Sequence, residues 1–218
     1  MFPLILIGAI GVVMIAAGAA HASEKPPQKV VTGSSKSLVR YTIINNRVTE
    51  SPTDLWRQAQ AKAGFAFPFR VFLLASMAAS EYASGSQQLK AAVMWAAKNY
   101  EKRYKTSLNS MLIPDGKLGG QKGRYASTAH PPTLTDVKLA QLVEGGSIKD
   151  PTGGAVQFDA PRTQRILNKT NPKDHKTPEQ VASDRMKSGK RVVYLANEDP
   201  ENARFWVPTS STSATAAA

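Results

Sequence analysis

Apolar residues return every three to four positions through four blocks of the chain, and no other feature narrows its fold as much. In the first block, Ser51-Pro52-Thr53-Asp54 opens a helix whose apolar face starts with Leu55, Trp56 and Ala59; Thr53 or Asp54 is the expected cap. Pro68 suits the start of a second helix running to about residue 83, because its fixed φ fits the first turn and its missing N–H is not needed there. A third helix is predicted over 86–104, with Leu89, Val93, Ala96, Ala97 and Tyr100 on one face. A basic, loop-like stretch follows over 105–132. A fourth helix starts near 133–136, carries Leu139, Leu142 and Val143, and stops at Gly145-Gly146. The fold class expected is mainly α, with a small β-hairpin from Arg191-Val-Val-Tyr-Leu and Arg204-Phe-Trp-Val, turned by Asn197-Glu-Asp-Pro200. Residues 160–190 are polar and basic with little periodicity.

Both ends of the chain read differently. Residues 2–20 hold no charge, and two readings stand side by side. Ala20-His21-Ala22 before Ser23 fits the small-x-small pattern of a cleaved signal peptide. The run is also about as long as a bilayer-spanning helix, which needs roughly 20 residues, and no Lys or Arg precedes it. Either reading delivers the rest of the chain to or across a membrane, hence an extracytoplasmic or envelope location. Residues 23–52 read as linker and extended arm, with a short strand within 38–48. A single domain is expected over 53–208, then a Ser/Thr/Ala-rich disordered tail over 209–218.

Composition removes several chemistries. Cysteine is absent, which excludes disulfides, thiol catalysis and cysteine-based metal sites. The three histidines, His21, His130 and His175, are far apart, and no HExxH occurs, so a zinc peptidase is not expected and no metal or organic cofactor is implied. Lys and Arg outnumber Asp and Glu by 28 to 16, and this surplus suits anionic polymers: nucleic acid, anionic lipid or cell wall. No stacking motif or zinc finger accompanies the charge, and specific nucleic-acid recognition is not expected.

One residue breaks the pattern of the second helix. Leu74, Met77, Ala78 and Glu81 stand at i, i+3, i+4 and i+7, which puts Glu81 on the apolar stripe at the helix C-terminus. Burial and the negative end of the helix dipole both favour a protonated carboxyl. A general acid of a glycosidase needs that state near neutral pH. A Glu at a helix end also turns to solvent or pairs with a cation, and the pattern alone leaves both readings open.

Further motifs stand around it. Glu81 is followed by Leu89-Lys-Ala-Ala-Val-Met-Trp-Ala-Ala-Lys-Asn99, then Val143-Glu-Gly145, Asp150-Pro-Thr-Gly-Gly-Ala-Val-Gln-Phe158 and Arg204-Phe-Trp-Val207. In order and spacing this set resembles the SleB-type cell-wall hydrolases, the spore-cortex-lytic group, over roughly residues 53–207. The resemblance implies a lysozyme-like domain with a hairpin lining the cleft. It implies cleavage of peptidoglycan between N-acetylmuramic acid and N-acetylglucosamine, commonly by a lytic transglycosylase route, with Glu81 as catalytic acid. Tyr125, Ser127, Asp150, Thr152, Gly153 and Gly154 would line the glycan. Asp150 and Glu144 are the nearest candidates for a partner acid; Asp150 also suits a turn-shaping role. Ser80-Glu81-Tyr82 stands where the family has Gly-Glu-Ala. That difference and the basic 160–190 stretch keep a second reading alive: a membrane-anchored envelope or virion assembly protein with a degenerate lysozyme-like fold. A virion-associated lysin would combine the two.

Overall fold

The computed structural model describes residues 29–31, 36–44, 47–118 and 130–209. Residues 1–22, read above as signal or anchor, lie outside them, as do Tyr125, Ser127 and the tail from 210 on. Among the described residues no helix is long and apolar enough to cross a membrane.

The fold is organised around one helix. α1 spans Pro52–Ala63, α2 Phe69–Glu81, α3 Gln87–Tyr104, α4 Leu108–Leu112 and α5 Leu134–Glu144. Every residue of α2 from Val71 to Ala79 is buried, and α2 touches each of the other four. A helix that is apolar all round belongs in the middle of a core. Leu55 and Ala59 of α1, Leu89, Val93 and Met94 of α3, Leu112 of α4, and Val137 and Ala140 of α5 close around it.

Local chemistry sets the helix ends. Ser86 caps α3 by accepting from the Leu89 N–H at 3.0 Å. Thr133 and Asp136 form a reciprocal capping box on α5. α1 departs from expectation: Ser51 takes the cap position without a side-chain bond, and Pro52 supplies the first turn. Pro68 sits at the cap of α2 rather than inside it. The stretch over 105–132, read as loop, contains α4, five residues long and too short to show a period.

The described part of the stretch read as linker and arm belongs to the folded unit. β1 (Lys29–Val31), β2 (Tyr41–Ile44) and β3 (Arg47–Val48) form an antiparallel sheet with β2 central. Leu38, Val39, Tyr41 and Val48 are buried in the main core.

A second antiparallel sheet, in the order β4-β6-β5, combines β4 (Gln157–Asp159), β5 (Lys190–Val193) and β6 (Arg204–Pro208). The expected hairpin is present, and β4 extends it to three strands. Phe158, Phe205 and Val193 stand opposite one another in register and face the helical core. Alternation sends Gln157, Asp159, Arg204 and Trp206 to the other face. There they meet an outer layer that the sequence pattern did not show, α6 (Pro161–Thr170) and α7 (Pro178–Lys187). Arg204 holds Asp159 through Nε at 2.8 Å and Nη2 at 3.1 Å, and donates to Pro178 O at 3.1 Å. The Trp206 indole N–H donates to Asp159 at 3.1 Å.

Candidate functional site

Glu81 is the last residue of α2 and is partly exposed, at the point where the buried helix reaches the surface. This corrects the expectation of a carboxylate on a buried stripe: α2 is buried on all sides up to Ala79, and Glu81 escapes by lying at its end. Ser80 beside it donates to His130 O at 3.4 Å, which places residue 130 next to the candidate acid.

The turn after Glu81 is tightly specified. The Tyr82 N–H closes the helix on Ala78 O, and the Gly85 N–H returns to Tyr82 O, both at 3.0 Å. A Cβ on Gly85 would stand 2.9 Å from the Tyr82 Cβ, which makes glycine necessary there. The Tyr82 side chain turns inward, donates to Asn202 O at 3.2 Å and packs on Phe158 with ring centroids 5.9 Å apart. Burial pushes the Tyr82 phenol well above its ordinary range, and the carboxylates of Glu81, Asp159 and Glu198 add to the effect. Tyr82 therefore stays a neutral donor.

Glu198 was not singled out from the sequence. It lies in the turn between β5 and β6 and accepts a hydrogen bond from the Ser86 hydroxyl at the start of α3. The α2–α3 turn and the 197–202 turn are thus joined at two points, by Ser86 to Glu198 and by Tyr82 to Asn202. A second carboxylate stands beside the turn that carries Glu81. The available signal was an acidic pair, Glu198-Asp199, inside a turn of a basic chain.

The Asp150–Gly154 motif is a built turn. Asp150 Oδ1 accepts from the Thr152 N–H at 2.8 Å and the Thr152 hydroxyl at 2.6 Å. Its Oδ2 accepts from the Gly154 N–H at 2.9 Å and Asn99 Nδ2 at 2.8 Å. The Thr152 hydroxyl also accepts from the Ala155 N–H at 3.1 Å. Both oxygens of Asp150 are thereby engaged by the turn and by Asn99. Thr152 is fully buried with its hydroxyl engaged, so its expected place on the glycan is corrected. Gly153 and Gly154 take φ of 62° and 94°, and a Cβ at either would meet nothing within 4 Å. Glycine serves their backbone conformation rather than a close approach within the fold.

These two parts of the expected site are linked but not clustered. Asn99 lies 12 residues beyond Gln87 on α3, roughly 18 Å along its axis at about 1.5 Å per residue. The segment leading into β4 connects them, running from Ala155, whose carbonyl accepts from Asn99 at 3.0 Å, to Phe158 on the Tyr82 ring. Glu144 is corrected as well. It pairs with Arg70 at 2.6 Å and Lys98 at 3.3 Å, tying α5 to α2 and α3. Tyr125 and Ser127 lie outside the described residues.

Among the described residues no group of three or more His, Asp or Glu is placed to hold a metal ion. The site and fold define a helical domain with two small three-stranded antiparallel sheets and two carboxylates beside the α2–α3 turn. Comparison with protein-family models, curated proteins and solved structures finds no match to this chain.

Proposed function

We propose that the chain cleaves peptidoglycan glycan strands between N-acetylmuramic acid and N-acetylglucosamine, with Glu81 as general acid and then base on a lysozyme-like domain. The observation that carries this reading is the position of Glu81: a partly exposed carboxyl at the end of a helix buried from Val71 to Ala79, in a turn fixed by Gly85, Ser86 and Tyr82. Rigid support of this kind is what a proton donor to a glycosidic oxygen requires. The motif resemblance around Glu81 and Asp150 supports the substrate class.

Glu81 gives its proton to the departing glycosidic oxygen as the C1–O bond breaks. In the lytic route the C6 hydroxyl of the same muramic acid attacks C1, its proton passes to the ionised Glu81, and an anhydro sugar is left. In the hydrolytic route a water attacks C1, and a second carboxylate takes its proton. Glu198 is the residue to fill that role. The hydrophobic N-terminal segment supports an envelope location, as signal or as anchor.

A specific observation favours a second reading, that of a non-catalytic envelope or virion assembly protein. Tyr82 stands where the resembling family has Ala, and its ring and hydroxyl are spent on internal packing. The deciding experiment incubates the full chain, parent and Glu81→Gln, with peptidoglycan sacculi and follows released muropeptides by mass spectrometry. Release by the parent alone, with equal thermal melts, is the expected result. Retained sacculus binding with no release by either form would favour the assembly role.

A further inference from the structure

Surface loops are ordinarily polar, and the one joining α1 to α2 is not. Residues 63–69, Ala-Gly-Phe-Ala-Phe-Pro-Phe, run for seven positions without a polar side chain. Phe67 is buried in the core, whereas Gly64, Ala66 and Pro68 are exposed, and Ala63, Phe65 and Phe69 are half-buried. Trp56 of α1, also half-buried, joins them. Its ring meets Phe69 edge-on with centroids 5.6 Å apart, and its indole N–H donates to Phe67 O at 2.8 Å. An apolar run of this length at the surface marks a contact with something apolar.

The backbone of the loop is prepared for such a contact. Phe67 O accepts a second bond, from Gln60 Nε2 at 2.7 Å. Pro68 has no N–H, and its carbonyl accepts from Val71 at 3.0 Å and Phe72 at 3.3 Å. The Gly64 N–H closes α1 on Gln60 O at 3.0 Å. Polar groups paired inside the fold lower the cost of leaving water. Cations stand alongside. Lys62 is exposed and donates to Ser37 O, a neutral partner, and Lys36 beside Ser37 is exposed as well. Aromatic rings flanked by lysine suit the boundary between lipid headgroups and acyl chains.

Chain length brings a bilayer within reach. The apolar run ends at residue 20, nine steps before Lys29 of β1, a tether of up to roughly 30 Å at about 3.3–3.6 Å per step. Lys29 pairs with Ile43, which is six steps from Ser37 and so at most about 20 Å from the Lys62 contact. The tether is longer than that separation. We propose that the α1–α2 loop is a membrane-docking site, seated in the interface of a bilayer that contains anionic lipid. It rests on residues 2–20 serving as an anchor, and it does not depend on the reaction proposed for Glu81. Docked in this way, α2 carries Glu81 away from the loop, 12 residues beyond Phe69 and roughly 18 Å along the axis at about 1.5 Å per residue.

The test reconstitutes the full chain into vesicles of phosphatidylcholine and phosphatidylglycerol, with and without bromine on the upper acyl chain of the phosphatidylcholine. Tryptophan emission is read, and the share of Trp56 is the difference between the parent and Trp56→Phe, since Trp95 and Trp206 remain in both. Bromine quenching of Trp56 is expected. Ala66→Asp, which puts a charge on an exposed position outside the core, should lose most of that quenching. Flotation reports the anchor separately, and near-UV circular dichroism checks that each variant is folded. A parent that floats with Trp56 unquenched overturns the docking site and leaves the anchor standing; a parent that does not float overturns both. Quenching unchanged by Ala66→Asp overturns the proposal. Trp56 shielded from aqueous iodide yet untouched by lipid bromine identifies a protein occupant, such as a second copy of this chain, in place of the bilayer.

Discussion

Asp150→Asn is a nearly isosteric change with a large expected cost. Four donors converge on the native carboxylate at 2.6–2.9 Å, from Thr152 twice, Gly154 and Asn99. An asparagine keeps one acceptor oxygen. If that oxygen serves Thr152, its amide group meets the Gly154 N–H and the Asn99 amide, donor against donor. Flipped, it meets the Thr152 N–H instead. A net hydrogen bond to a charged group contributes about 1.5–3 kcal/mol, and two are lost in the first orientation. Discounted for the partial exposure of Asp150, the cost is about 3 kcal/mol. For a chain of this size that lowers Tm by roughly 6–12 °C. Urea unfolding and calorimetry of the full chain measure it. An Asp150→Asn variant that melts with the parent but loses wall lysis would refute the reasoning and return Asp150 to the reaction.

Three other perturbations probe different parts of the molecule. Glu198→Gln should cost about a hundredfold or more in muropeptide release if water is the attacking group, and little if the products carry anhydro-muramic ends; product masses and rates together decide. Lys90→Ala leaves Asp136, whose side chain is 2% exposed, with only its Thr133 bonds, and should destabilise by about 3 kcal/mol in urea unfolding. Hydrogen bonding to Arg70 is the main cause that holds the Glu101 carboxyl below its ordinary 4.5. Its contribution to stability is complete above that pH and is lost as pH falls through the lower folded value. Glu101→Gln should therefore flatten the acid limb of the stability profile, as read by melts from pH 6 to 3.

The helices that surround α2 were readable because burial writes a period into the sequence. Leu89, Val93, Ala96 and Ala97 announce α3, and Thr133 with Asp136 announces the start of α5. α6 and α7 were not, since each buries little more than its first proline and so leaves no apolar stripe. Their signal lies in the caps: Pro161 and Pro178 at first-turn positions, and Thr177-Pro-Glu-Gln180, which closes a capping box. The candidate acid was found by its place at the end of a helix. Its neighbour Glu198 is more than 100 positions away, and only the meeting of two turns brings it there. Thr152 misled for a related reason. Its type and motif suggest a surface turn, while the Asp150 network draws its hydroxyl inward.

The outer layer is fastened mainly by charge, and this sets the order in which the molecule comes apart. α6 and α7 contribute little apolar burial, and their exposed ion pairs add little stability. Regions of that kind open at lower free energy than a packed core. Trp206, 1% exposed, lies on the face they cover. Its emission would report the lifting of that cover while α2 and its neighbours still stand, so the protein carries its own optical gauge of partial opening.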